Sequence, residues 1–243
     1  MVLLGKSGSG KSSTGNTILG REYFNEAVSP GSVTKSCERG ESQTDDRIIS
    51  VIDTPGQFDT RMSEEQMKAE IERCVYMSVP GPHAFLLVIR LGVRFTDEEK
   101  NTVQWIKENF GEEAARYTII LFTHADYLRG KPLAEYITES DDLQALVTEC
   151  NNRYYLLNNE DMESHSRVSE LMEKIENMVR INGGQHYTNE IISNNSRSSS
   201  SKRSSSSSGK RSSGICRKSN SRRSSSSSRR SSSSSSKSKI RII

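Results

Sequence analysis

The sequence predicts a three-layer α/β fold, a mostly parallel sheet with helices on both faces, and three observations point to it. Short, nearly continuous apolar runs alternate with longer stretches of helical spacing, the rhythm of strands crossing over through helices. A glycine-rich turn joins the first apolar run to the first helical stretch. The charges divide the chain into an acidic body that holds nearly all the apolar residues and a basic, serine-rich end.

Residues 1–4 read as the first strand, and four residues are few enough that the natural start is expected upstream. Helical spacing follows over 11–19. A weaker strand is expected near 33–42, then a stronger one over 47–52, then a helix over 64–77. Residues 84–90 hold the longest apolar run, Ala84-Phe85-Leu86-Leu87-Val88-Ile89, as a central parallel strand should. Thr96 before Asp97-Glu98-Glu99 starts a helix over 97–110. A strand over 117–122, a helix over 143–151 and a short strand over 153–157 come next. The closing helix, 163–181, puts Val168, Leu171, Met172, Ile175 and Val179 on one face and has Gly183-Gly184 past its end. No internal repeat is evident.

Of the 34 lysines and arginines, 14 lie after Ile192, and no acidic residue does. The first 192 residues therefore carry 20 basic against all 31 acidic residues, a balance of −11, and the last 51 carry +14. This sets the boundaries: a domain over 1–192, and a low-complexity tail over 193–243 that is about half serine and cannot bury enough surface to fold. The apolar runs fall far short of the ~20 residues of a membrane-spanning helix. The start lacks the charged and apolar regions of a secretory signal, so the expected location is intracellular and cytoplasmic. Cys37, Cys74, Cys150 and Cys216 are scattered without a CxxC pair, which argues for reduced thiols rather than zinc or disulfides.

Gly5-Lys6-Ser7-Gly8-Ser9-Gly10-Lys11-Ser12 fits GxxxxGK[ST], sits after an apolar strand and opens a helix. Its glycines let successive N–H groups turn inward on phosphate oxygens, and the helix adds its positive end. Lys11 would reach the β- and γ-phosphates, Ser12 would ligate Mg²⁺, and the Ser13 N–H would meet the α-phosphate. Asp53-Thr54-Pro55-Gly56 ends the next strong strand, placing a carboxylate for the magnesium, through water, and a glycine N–H for the γ-phosphate. The bland reading of DTPG is a strand-ending turn. Thr123-His124-Ala125-Asp126 stands where [NT]KxD selects guanine: Asp126 would accept from N1–H and the exocyclic amine, and the His124 ring would cover the base. The bland reading here is a helix-capping aspartate. Asn158-Asn159 would face the other side of the purine.

With these motifs the chain resembles the GTPases of immunity-associated proteins (GIMAP), with their AIG-type guanine-nucleotide-binding domain. The resemblance rests on 6–20 with its Thr14-Gly15-Asn16-Thr17-Ile18-Leu19-Gly20 continuation, on DTPG with Phe58-Asp59-Thr60, and on Pro80-Gly81-Pro82-His83-Ala84. It rests also on Leu91-Gly92-Val93-Arg94-Phe95-Thr96-Asp97-Glu98-Glu99, which is similar to the box that distinguishes this family, and on 182–191. The resemblance implies a Ras-like G domain of the P-loop NTPase class, GTP/GDP and Mg²⁺ as ligands, and GTP-dependent dimerisation through the nucleotide face, with itself or with family members. It implies that Thr34 closes on Mg²⁺ and that Arg94 acts across the dimer as a finger, against the alternative of a solvated arginine. Gln57 departs from the family, standing where Ras-type enzymes keep a water-orienting glutamine.

Three functions follow: a GTP-switched GTPase, a GTP-binding scaffold with negligible hydrolysis, or an RNA-associated protein led by its Ser/Arg tail. The tail suits an anionic membrane, which would place the protein peripherally on an organelle. Nucleic acid is not expected, since the domain has no recognisable RNA-binding motif.

Overall fold

In the computed structural model, which describes residues 1–26, 34, 36–43, 47–56, 63–159, 164–188 and 240–242, the sheet is the organising layer. Its strands are β1 (Val2–Leu4), β2 (Glu38–Gln43), β3 (Arg47–Asp53), β4 (Phe85–Arg90), β5 (Thr118–Thr123), β6 (Tyr154–Leu156) and β7 (Ile240–Ile242). The order is β2-β3-β1-β4-β5-β6, with β7 on β3. All pairings are parallel except β2 with β3, a hairpin partner at the edge. The weak strand expected near 33–42 is this β2, shifted to Glu38–Gln43.

The helices are α1 (Lys11–Leu19), α2 (Glu64–Met77), α3 (Asp97–Lys100), α4 (Thr102–Phe110), α5 (Leu133–Thr138), α6 (Asp141–Glu149) and α7 (Ser164–Ile181). The helix expected over 97–110 is two helices. A capping box closes between Thr96 and Glu99, and the chain turns at Asn101, whose φ of −82° and ψ of 0° end α3. The helix expected over 143–151 starts two residues earlier, where Ser140 accepts from the Leu143 N–H.

Alternation along the central strands sends side chains to two faces. Leu86 and Val88 of β4 join Ile119 and Leu121 of β5 against Ile18 of α1 and Leu171 and Ile175 of α7. Leu87 and Ile89 join Ile120 and Phe122 against Leu143, Leu146 and Val147 of α6. Val2, Leu4, Ile52 and Phe85 pack on Val75 of α2 and on Ile106 and Phe110 of α4. After α7 the chain returns to that last face at Tyr187, which is buried with its ring 5.5 Å from Phe85 and 5.3 Å from Tyr117. Its N–H donates to the Pro82 carbonyl at 2.9 Å and its hydroxyl to the Phe110 carbonyl. Gly81 allows the approach, since a Cβ there would lie 1.9 Å from the Tyr187 carbonyl oxygen.

Most of the serine-rich segment lies outside the described residues, so its expected disorder is not addressed. Ile240–Ile242 is described as β7, where Ile-Arg-Ile supplies a β-branched alternation that the neighbouring serines lack. No helix among the described residues is long and apolar enough to cross a membrane.

The chain start is buried. The Met1 amine donates to the Ser50 carbonyl at 2.7 Å, and burial, with the Arg39 cation nearby, pushes its pKa down to about 4. An unfolded amine binds its proton below about pH 8, so between pH 4 and 8 the unfolded state holds the extra proton and stability rises with pH. Urea unfolding of a chain with a free Met1 amine should gain up to about 1.4 kcal/mol per pH unit across that window. Acetylating the amine should flatten the slope.

Candidate functional site

The turn between β1 and α1 builds the centre of the site. Gly8 and Gly10 take φ of 77° and 93°, left-handed values that a side chain would resist, and Gly10 enters α1 without any side-chain cap. No side chain at Gly10 therefore caps the first-turn N–H groups of α1. Lys11, buried, folds back so that its Nζ donates to the carbonyls of Gly5 and Lys6, both at 3.0 Å. The buried Ser9 Oγ has no hydrogen-bond partner, while the Ser9 carbonyl accepts from Thr123 Oγ1 at 2.9 Å and ties the loop to β5. Ser13 is engaged outward, its Oγ donating to Glu26 at 2.9 Å.

Beside the lysine lies an oxygen cluster. Ser12 Oγ donates to Asp53 Oδ2 at 2.7 Å, Thr34 Oγ1 donates to the same oxygen at 3.3 Å, and the two hydroxyls are 3.2 Å apart. Asp53 Oδ1 is buried with no partner. Desolvation raises the Asp53 pKa above the ordinary carboxylate value, against the pull of the Ser12 hydrogen bond and the Lys11 charge. Two hydroxyls and an under-used carboxylate are hard oxygen donors that suit Mg²⁺. Among the described residues no three His, Cys, Asp or Glu side chains cluster. Mg²⁺ usually takes one or two protein ligands and fills its shell with phosphate and water. Gly56 brings the end of β3 onto the loop: a Cβ there would lie 2.6 Å from the Ser7 nitrogen.

The remaining candidates sit on the loops at the carboxyl ends of the other parallel strands, the edge where open α/β sheets bind ligands. His124 is left-handed at φ 59°, with ring Nδ1 3.1 Å from Thr123 Oγ1, and Asp126 is exposed in the 3₁₀ turn Ala125–Leu128. Arg94 is exposed after β4. Asn158 is half-buried, and Asn159 is engaged with α1, accepting from Thr17 at 3.2 Å and donating to Thr14 at 3.3 Å. Gln57 lies outside the described residues. Sequence reasoning missed two contributors. Thr123 is the buried brace to Ser9 just described, and the Tyr127 ring lies so close over Gly92 that a Cβ there would be 2.2 Å from it. Both residues are inside or beside the motif at 123–126, yet neither contact has a signature in spacing.

The AIG1 family model matches residues 1–206. The chain is 39% identical over 192 residues to human GTPase IMAP family member 8, covering 78% of this chain and 29% of that protein. It is 35% identical over 199 residues to immune-associated nucleotide-binding protein 9 of Arabidopsis thaliana, covering 79% of this chain and 58% of that one. The chain thus spans well under two thirds of the length of these relatives. Among solved structures, Toc33 from Arabidopsis thaliana in complex with GDP and Mg²⁺ superposes with a TM-score of 0.57 at 22% identity, over 73% of this chain and 82% of that one, a likeness of fold.

Removing the Asp53 charge should separate folding from binding. Asp53→Asn relieves a desolvated carboxylate, so the ligand-free protein should melt at or above the parent temperature. The additional stabilisation that Mg²⁺ gives to the GDP-bound parent should be lost in the variant, as thermal melts with and without the metal would read.

Proposed function

The chain belongs to the AIG1 family, and from that premise and the site's geometry we propose that it is a GTP-binding switch that dimerises through its nucleotide face and hydrolyses GTP to GDP. The observation that carries this is the buried, unpartnered Asp53 oxygen, set against two hydroxyls beside a lysine-bearing glycine loop. The loop of residues 5–13 wraps the phosphates, and Lys11 exchanges its carbonyl partners for phosphate oxygens. Ser12 and Thr34 offer their hydroxyls to Mg²⁺, and Asp53 orients its water. The metal supplies positive charge that offsets the phosphates.

Asp126 reads guanine through two donors that adenine lacks, with the His124 ring over the base. The Gly56 N–H senses the γ-phosphate, and Thr34 and Gly56 close on the nucleotide when GTP is bound. Arg94, exposed on the same edge, reaches across to a second protomer, itself or a family member, and Gln57 orients the attacking water. The named activity of the human relative, a GTPase, supports this reading. A cytoplasmic location, peripheral where the basic tail meets anionic lipid, accords with it.

Lys11→Ala and Ser12→Asn should each abolish binding of Mg²⁺·GTP in titration calorimetry, and tight binding by both would remove the assignment. GTP should outcompete ATP by at least about a hundredfold, because Asp126 loses its paired donors when adenine enters. In single-turnover hydrolysis the rate should rise with protein concentration. Arg94→Ala should lose that rise, by about 10³-fold at saturation, with GTP affinity intact. Hydrolysis that is negligible at every concentration would leave a GTP-binding scaffold.

A further inference from the structure

Three strands stand in a row in the sheet: β1 leads into the phosphate loop, β5 leads into the motif at 123–126, and β4 runs between them. β4 ends at Arg90, which stands opposite Thr123 in the parallel register. Leu86 and Val88 of β4 and Ile119 and Leu121 of β5 pack against α1 and α7, so two residues further on Arg90 and Thr123 extend that same face. It is also the face of the loop. Thr123 Oγ1 reaches the Ser9 carbonyl there and lies 3.6 Å from where a Cβ of Gly10 would be.

Arg90 is half-buried, and its Nε is fully buried with no hydrogen-bond partner. Ser9 Oγ, buried and likewise unpartnered, does not meet it. Among the described residues no ion pair or hydrogen bond joins the Arg90 guanidinium. A guanidinium cannot lose its proton to escape burial, so this desolvated N–H is left for an acceptor that arrives at the edge. Its neighbours have few donors to spare. Thr123 has one O–H, which Ser9 takes, and His124 Nδ1 lies against the same hydroxyl. Asn159 gives its amide to Thr14. The Asp126 carboxylate only accepts, which suits the N1–H and amine edge of guanine and leaves the other edge unread. Guanine presents two acceptors on that edge, O6 and N7, which an arginine fork meets together, whereas adenine carries an amine in place of O6.

We propose that Arg90 is a specificity residue of the nucleotide site, its guanidinium donating to O6 and N7 of guanine on the edge that Asp126 leaves unread. This rests on the guanine-nucleotide binding proposed above and adds to it the reader of the second edge. Two edges read by opposite chemistry reject adenine twice: Asp126 loses its paired donors, and the adenine amine meets the guanidinium donor to donor. Arg90 ends a strand whose preceding residues Phe85–Ile89 are all buried, so the fork starts from a fixed backbone rather than from a loop.

The test sets base-edited nucleotides against variants of the full chain in titration calorimetry with Mg²⁺ present. The probes are GDP, 7-deaza-GDP, which has a C–H in place of N7, and IDP, which keeps O6 and N7 and lacks the exocyclic amine. The parent should bind 7-deaza-GDP about tenfold more weakly than GDP. Arg90→Met should bind GDP at least about tenfold more weakly than the parent does and should no longer tell GDP from 7-deaza-GDP. Asp126→Ala should do the reverse, keeping the 7-deaza penalty while losing the preference for GDP over IDP. Without nucleotide, Arg90→Met should melt at or above the parent, since the empty protein gives the guanidinium no partner to lose. A parent that binds GDP and 7-deaza-GDP alike would overturn the proposal and leave the guanine reading intact. An Arg90→Met variant that loses the same factor for both nucleotides would place the guanidinium on phosphate or ribose and overturn it too. So would an empty variant that melts well below the parent and weakens every nucleotide equally, which marks a structural arginine. A parent that binds no guanine nucleotide would remove the function proposed above, and this assignment with it.

Discussion

The phosphate loop can be only as well placed as the strand it leaves, and β1 is placed by its neighbours rather than by its own length. Three registered pairs hold Val2–Leu4 to β4, and Val2 opposite Ile52 holds it to β3. Thr54 Oγ1 donates to the Leu3 carbonyl at 2.7 Å, so the strand that ends in Asp53 also grips the strand that starts the loop. The same ladders that bury Leu3 and Leu4 therefore set the distance from Lys11 to Asp53. Thr123 completes the clamp from β5. A change in strand pairing would reach the loop before it reached any side chain in it.

The site's electrostatics oppose its stability. Asp53 sits almost fully buried with one oxygen unpaired, which costs free energy in the ligand-free protein. Two hydroxyls and the Lys11 charge offset part of that cost and leave the pKa raised. A cation with phosphate oxygens behind it would remove the rest. The cost of holding Asp53 desolvated and half-paired would thus be returned on cation binding.

Much of this was legible from residue types. β4 and β5 are continuous apolar runs because both of their faces are covered, and α1 was bounded by a glycine on each side. The phosphate loop and the aspartate at the end of β3 declared themselves by spacing. What escaped depends on tertiary context. The break at Asn101 that divides α3 from α4 is a single-residue turn, with no glycine or proline to mark it. α5 is too short, at six residues, to show a periodic face, and the antiparallel direction of β2 is set by the short connection to β3. In the site, the engagement of Asn159 with α1 and the brace from Thr123 to Ser9 join residues more than a hundred positions apart, and no local pattern encodes them.

Tyr187 fixes how force would travel through the molecule. The chain leaves α7 and is pinned at Tyr187 by its N–H to Pro82, its hydroxyl to Phe110 and its ring between Phe85 and Tyr117. A pull on the basic segment that follows would load this anchor before α7 felt it. Its N–H, its hydroxyl and its ring would share that load. A tug from a surface holding the tail would then be borne on the α2/α4 face, away from α1 and α7, which pack on the opposite side of the sheet.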